Sequence, residues 1–357
     1  MKAQAVQRLL YEQQQFPIFQ NRMYDSAVAA RNCTRGDIRL VEDLRSGLVY
    51  NAAFEPALMQ YDDHYQNEQA VSGMFQRHLQ QVAEVVARGL GRDRLVEVGC
   101  GKGHFLETLQ AGGFDITGFD PAYEGSNPGV RKEVFSEGVM SPARGLILRH
   151  VLEHIPDPVA FLGQLARANG GAGRIYIEVP CFDWICRRRA WFDVFYEHVN
   201  YFRLTDFHRM FGRVVESGRL FGGQYLYVVA ELDTLRQPER DPADAVAFPD
   251  DFTATLAHFD GVRDCAIWGG ASKGVIFALL KERRGSPVGT VIDINPAKQG
   301  KFLPGTGLRV GAPAEEIDRL PTGTPVFVMN SNYIEEIRAM SRGRFELIPI
   351  DTTHKES

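Results

Sequence analysis

The stretch LVEVGCGKGHFLETLQ, residues 95–110, decides how the chain is read. Leu95, Val96 and Val98 suit a buried strand, interrupted by Glu97. Gly99, Gly101 and Gly103 follow in a G-x-G-x-G spacing, and Phe105, Leu106 and Leu109 then recur at helical spacing. A strand, a glycine turn and a helix N-terminus in succession let a ligand approach the backbone where a side chain would block it. A second apolar run, ITGF, leads into Asp120 and Pro121. An acid at the tip of a second strand is placed to accept hydrogen bonds from ribose hydroxyls. The expectation is a nucleoside site on a Rossmann-like α/β sheet. Dinucleotide sites space their glycines G-x-G-x-x-G. Here the third glycine comes one residue early, and Glu97 suits a cationic ligand better than a pyrophosphate.

With Glu97, the three glycines and Asp120 in this order, the segment resembles motif I of the class I methyltransferases. That resemblance implies S-adenosylmethionine as cofactor, with Glu97 beside its methionine part, Asp120 on its ribose and Pro121 next to it. RGLILRHVLEHIPDP, residues 144–158, is similar to a second segment frequent in the same class. Leu146–Leu148 suit its fourth strand. Asp157 and Pro158 read as N-cap and first helical position. Arg149 and His150 fall near the expected cofactor edge. Glu153 and His154 could form an acid–base pair, but a place at the start of a crossover helix favours a structural role. GRIYIEV, 173–179, is the next strand.

The chain has 357 residues, of which 44% are hydrophobic and 24% charged, with net charge −5. That is too long for one typical core and ordinary for a globular protein. The charge gives no support for nucleic-acid or membrane-surface binding. Five separated cysteines without a C-x-x-C pair indicate neither a disulfide framework nor a cysteine zinc site. No signal-peptide pattern or 18-residue apolar run is present, so a cytoplasmic enzyme is the expectation.

The rest of the chain extends the resemblance to the three-domain sugar C-methyltransferases. These carry an N-terminal zinc ribbon, a methyltransferase core and a C-terminal Rossmann-like domain. The corresponding domains here are 1–60, 61–235 and 236–357. Residues 1–15 could form a short helix, and IRLV and LVY alternate as strands do. Asp43 and Ser46 stand where ribbon cysteines would be, and tetrahedral zinc needs four good ligands. The ribbon reads as having lost its metal, and no metal ligand is assigned. In that family the linker after the ribbon supplies a tyrosine over the active site. Tyr61 is the candidate for substrate contact and Tyr65 for catalysis, unless both are simply packed.

After the fifth strand comes CFDWICRRRAWFDVFYEHVNYF, where such enzymes place substrate contacts. A His beside a Glu can act as a general base near neutral pH. The family has a similar Tyr-x-Glu-His segment, which implies His198 as base, Glu197 as its support and Asn200 as a substrate contact. This chain has Phe195 where the family's first tyrosine stands and Tyr196 next to the Glu. A buried, structural His198 is the alternative. Residues 235–250, rich in Pro, Asp and Arg, read as a linker. WGGASKG and IDINPAKQGKFLPGTGLRV then resemble the family's C-terminal domain, implying substrate contacts from Ser272 and Lys273. The resemblance implies C-methylation of a small metabolite, such as a keto-sugar nucleotide. O-methylation, or a non-catalytic cofactor-binding subunit, are the alternatives. Substrate identity and oligomeric state are left open.

Overall fold

The computed structural model describes residues 7–59 and 72–352. Three sheets organise them. The first is antiparallel and N-terminal. It contains β1 (Gln7–Pro17), β2 (Arg35–Asp43) and β3 (Val49–Asn51), with a short helix α1 (Ala27–Arg31) between β1 and β2. The expected helix over 1–15 is therefore, from residue 7 onward, a strand. Its glutamines face solvent while Tyr11 and Phe16 are buried, and an antiparallel ladder to β2 overrides the weak helical preference. Asp43 and Ser46 close the β2–β3 turn by accepting the Arg45 and Leu48 amides.

The second sheet follows in chain order. Its elements are α2 (Gly73–Gly89), β4 (Leu95–Val98), α3 (His104–Ala111), β5 (Ile116–Phe119), β6 (Val130–Arg131), β7 (Gly145–Arg149), α4 (Pro158–Ala168) and β8 (Arg174–Pro180). After them come α5 (Phe182–Arg188), α6 (Leu204–Met210), β10 (Val214–Leu220) and β11 (Tyr225–Glu231), with β9 (Asn200–Tyr201), the fourth strand of the first sheet, between α5 and α6. The strand order is β10-β11-β8-β7-β4-β5-β6. β4 through β8 pair in parallel, and β11 runs antiparallel to both its neighbours. Residues of β4 are buried on both faces, as in a parallel sheet covered by helices. Ser72 caps α2 by accepting the Met74 and Phe75 amides, and Asp157 caps α4 with Pro158 in its first turn. This is the expected α/β core.

The third sheet is parallel throughout. Its elements are β12 (Ala266–Trp268), α7 (Ser272–Arg283), β13 (Thr290–Ile292), β14 (Val310–Gly311), α8 (Pro313–Arg319), β15 (Pro325–Val328), α9 (Ile334–Met340) and β16 (Glu346–Pro349), in the order β14-β13-β12-β15-β16. Gly274 lets α7 start against the preceding loop. A Cβ there would lie 1.9 Å from the Gly269 carbonyl oxygen. Among the described residues no helix is long and apolar enough to cross a membrane. All five cysteines are buried and outside any disulfide.

One connection ties the sheets to the site. β9 belongs to the segment after β8, yet it pairs with β3 of the N-terminal sheet, Val49 opposite Tyr201 and Tyr50 opposite Asn200. The chain just before β9 carries Glu197 and His198.

Candidate functional site

In each parallel sheet the connections run in opposite directions on either side of the first strand, β4 or β12. Ligands of such sheets bind beyond the carboxyl ends of the strands at that switch point. Here the two switch points border one cavity of about 420 Å³. Glu97, Gly99 and Gly101 stand on one side, and Trp268, Gly269, Ser272 and Lys273 on the other.

All three loop glycines have left-handed backbone, with φ of 71°, 54° and 82° at Gly99, Gly101 and Gly103. A Cβ on Gly99 would also meet Val151 at 2.6 Å. Gly103 is the N-cap of α3 rather than part of the cavity wall. Asp120 binds the loop: its Oδ2 accepts the Gly101 amide at 2.8 Å and its Oδ1 the Ala122 amide at 2.8 Å. Pro121 is exposed in the turn that follows and does not line the cavity. Glu97 is 3% exposed. Burial pushes its carboxyl up to about 8; Arg149 opposes this and Asp120 adds to it.

Behind the loop lies an ion cluster that sequence reasoning did not find. Its hub is Glu178 of β8, fully buried. Arg149 Nη2 donates to Glu178 Oε1 at 3.1 Å, His78 Nε2 lies 3.2 Å from the same oxygen, and the Tyr176 hydroxyl donates to Oε2 at 2.7 Å. His150 Nε2 stands 3.1 Å from Glu178 and its Nδ1 3.3 Å from Glu153. Burial raises the Glu178 carboxyl, but Arg149 and the two histidines outweigh it and hold the group well below its ordinary range. For His150 burial acts downward, yet its two carboxylates push it up to about 9. Its φ of 51° is a strained conformation of the kind that collects at functional sites. Arg149 also covers the Phe105 ring at 4.4 Å. Both residues line the cavity.

The segment carrying His198 is fastened on two sides. Toward the core, the Val199 amide donates to Glu153 O at 2.8 Å, His154 Nδ1 donates to Glu197 O at 2.8 Å, and Asn200 Nδ2 donates to Ile155 O at 2.6 Å. Toward the N-terminal sheet, the Asn51 amide donates to Val199 O at 2.7 Å. The outcome is that His198 meets His154 edge to face, ring centres 4.9 Å apart. Burial holds the His198 imidazole well below its ordinary range, and His154, His150 and Lys273 add to this. His198 is thus a neutral ring on the cavity wall.

Several expectations for this segment are corrected. Glu197 does not support His198; its Oε2 accepts the Gln20 amide at 3.0 Å, tying the segment to the N-terminal sheet's loop. Tyr196 points away from the cavity, fully buried, and its hydroxyl accepts the Glu55 amide at 2.8 Å. Asn200 is a fastening residue between two backbones and does not line the cavity. Glu153 and His154, read as structural, do line it beside His198. One ligand atom from each of Glu153, His154 and His198 lies within 4.8 Å of the others. Tyr61 and Tyr65 lie outside the described residues.

On the opposite wall the Ser272 hydroxyl accepts from Asn21 Nδ2 at 3.0 Å. Lys273 pairs with Asp193 at 3.0 Å and donates to Gln224 Oε1 at 2.9 Å. Gln224 and Asn330 exchange two amide hydrogen bonds, at 2.8 and 2.9 Å, clasping the second and third sheets together. Asp293, at the tip of β13, accepts the Gly270 amide at 2.7 Å, repeating the contact of Asp120 with Gly101.

Residues 65–214 match a family model described as a methyltransferase domain. Among solved structures, an S-adenosylmethionine-dependent methyltransferase from Archaeoglobus fulgidus is similar, with 18% identity over 43% of this chain and 94% of that one, at a TM-score of 0.33. The magnesium protoporphyrin IX methyltransferase of Synechocystis PCC 6803 aligns at 16% identity over 44% of this chain and 82% of that one, at a TM-score of 0.34. A third similar chain, described as a putative O-methyltransferase from Nostoc punctiforme PCC 73102, is 17% identical over 45% of this chain and 58% of that one, at a TM-score of 0.35. No curated protein matches the chain.

Proposed function

We propose that residues 65–214, which match a methyltransferase-domain family model, form a class I S-adenosylmethionine-dependent methyltransferase that methylates a small polar metabolite held between the second and third sheets. The observation that carries this reading is the cavity itself. A glycine loop suited to the cofactor forms one wall, a second Rossmann-like loop forms the other, and the neutral His198 imidazole lines the cavity from the segment after β8. The volume of about 420 Å³ suits a small-molecule site rather than a macromolecular surface. The favoured acceptor is a carbon next to a carbonyl, as in a keto-sugar nucleotide. Such a carbon must lose a proton before it attacks the methyl group, and neighbouring donors stabilise the enolate. The experiment is methyl transfer from labelled cofactor to a panel of keto-sugar nucleotides, with the labelled atom located by NMR. A methyl group on oxygen would replace the carbon assignment; no product from any member would reject the substrate class.

Two further outcomes are expected at the cofactor wall. Asp120→Ala should weaken S-adenosylmethionine binding by about 1–3 kcal/mol, because the ribose hydroxyls and the Gly101 amide both lose their acceptor. Unchanged affinity by calorimetry would take Asp120 out of the site. Glu97 should give up its proton when the cationic cofactor arrives. Since burial pushes its carboxyl up to about 8, affinity should rise with pH by up to roughly tenfold per unit below that value, then level off. Calorimetry in buffers of different ionisation enthalpy should record the released proton. Glu97→Gln should abolish the pH dependence, and a flat wild-type profile would refute the role.

A further inference from the structure

We propose that Glu153, His154 and His198 bind a divalent transition-metal cation on the floor of the cavity. Two imidazoles and one carboxylate are a recurrent ligand set for zinc, iron and cobalt, and they leave coordination positions open. One ligand atom from each of the three residues lies within 4.8 Å of the others. In a tetrahedral arrangement, bonds of about 2.0–2.2 Å to a shared ion put ligand atoms roughly 3.3–3.6 Å apart, so closure needs the side chains to draw together by up to roughly 1.5 Å.

The hydrogen bonds around the triad carry the argument further. His154 Nδ1 donates to the Glu197 carbonyl at 2.8 Å, which fixes the tautomer and leaves Nε2 with its lone pair. A metal-ligating histidine almost always spends its other ring N–H in this way. Glu153 has one oxygen beside His150 at 3.3 Å; the other, Oε2, is buried with no hydrogen-bond partner among the described residues. His198 Nδ1 is in the same condition. Both residues are more than nine-tenths buried, at 1% and 7% exposed. Native structures seldom leave buried polar atoms unmatched, and an unoccupied ion position is one standing explanation for those that are. Two such atoms belong to residues of one cluster, beside an imidazole already set in its ligating tautomer.

The backbone is built for the same end. The Val199 amide bond to Glu153 O locks the two ligand-bearing loops in register, so all three donors reach the cavity from rigidly joined segments. All three residues line the same cavity as Gly99 and Lys273, where the acceptor would sit. A carbonyl or hydroxyl oxygen on the ion would be polarised, making the adjacent proton more acidic. This last step rests on the methyl-transfer reading; the binding of the ion does not. It also makes His198 a ligand where the base reading has it take the proton itself.

The test is to strip the full-length protein with a chelator and titrate it with Co²⁺, following the visible ligand-field bands. One Co²⁺ per chain is expected, displaced by Zn²⁺ and not by millimolar Mg²⁺. Glu153→Gln and His154→Ala should each weaken Co²⁺ binding by about a hundredfold or more, with thermal melts confirming that the variants fold. Pulsed EPR of the bound wild-type protein should report two coordinated imidazole nitrogens, a readout that needs no variant. Absence of a stoichiometric site, or binding unchanged in Glu153→Gln, would overturn the proposal. Full methyl transfer by the chelator-treated protein would reject the catalytic use of the ion and leave His198 as the base. Metal binding as expected with no methylated keto-sugar nucleotide would fault the substrate reading alone.

Discussion

His198→Ala is expected to lose roughly 10²–10⁴-fold in turnover, the usual loss when a group that handles the transferred proton is removed. Cofactor affinity should stay near the wild-type value. The cofactor wall is made by Glu97 and the glycine loop, while His198 hangs from the segment between β8 and β9. If the acceptor is a carbon acid, the wild-type enzyme should exchange a substrate C–H for deuterium in heavy water, and the variant should not. An active variant would move the proton step elsewhere, with His150 the next imidazole on the cavity wall. Glu197→Gln separates positioning from chemistry. Its carboxylate holds the Gln20 amide and not the imidazole, so the variant should loosen the N-terminal sheet and lower thermal stability with little change in the pH profile of turnover.

The second large effect is expected at Glu178. Changing it to Gln leaves Arg149, which is buried, without its counter-charge and takes one of two carboxylates from His150. Breaking a buried pair by neutralising one partner costs about 3–5 kcal/mol. The apparent melting temperature should fall by roughly 5–15 °C. The sign of the pH dependence follows from the shift. Glu178 is held well below its ordinary value of 4.5, so its stabilisation is present above pH 4.5 and is lost as pH falls through the folded-state value. Wild type should therefore lose stability steeply in acid, and Glu178→Gln should lose less over the same range. Parallel acid curves would show that Glu178 is not the anionic hub.

The central sheet was legible because its signals are local. β4, β5, β7 and β8 are short apolar runs, the glycines mark a turn that needs positive φ, and Asp157–Pro158 announces α4. Residue roles in the segment after β8 were not legible, since they depend on what that segment lies against. Glu197 and His198 are neighbours in sequence, but the chain turns one toward Gln20 and the other toward His154. Tyr196 fits against Gly36, where a Cβ would come within 2.3 Å of its ring, and no pattern in the sequence announces that contact. Glu153 and His154 read as helix-start residues because their partner stands far along the chain. Glu178 had only one faint sign, a single acid inside the apolar run IYIEV. A lone charge in a buried strand demands counter-charges, and that demand was the clue. β1 was misread because glutamine-rich segments carry little period of either kind.

The pairing of β3 with β9 sets an order of events during synthesis. Tyr50 leaves the ribosome long before Asn200, its partner across the ladder. At about 5–20 residues per second that interval is on the order of ten seconds. Through it the N-terminal sheet has β1, β2 and β3 but an open edge, and such edges invite pairing with other nascent chains. The first sheet thus gains its fourth strand only after most of the second sheet has emerged, so a ribosome stalled between these points would expose an unfinished sheet.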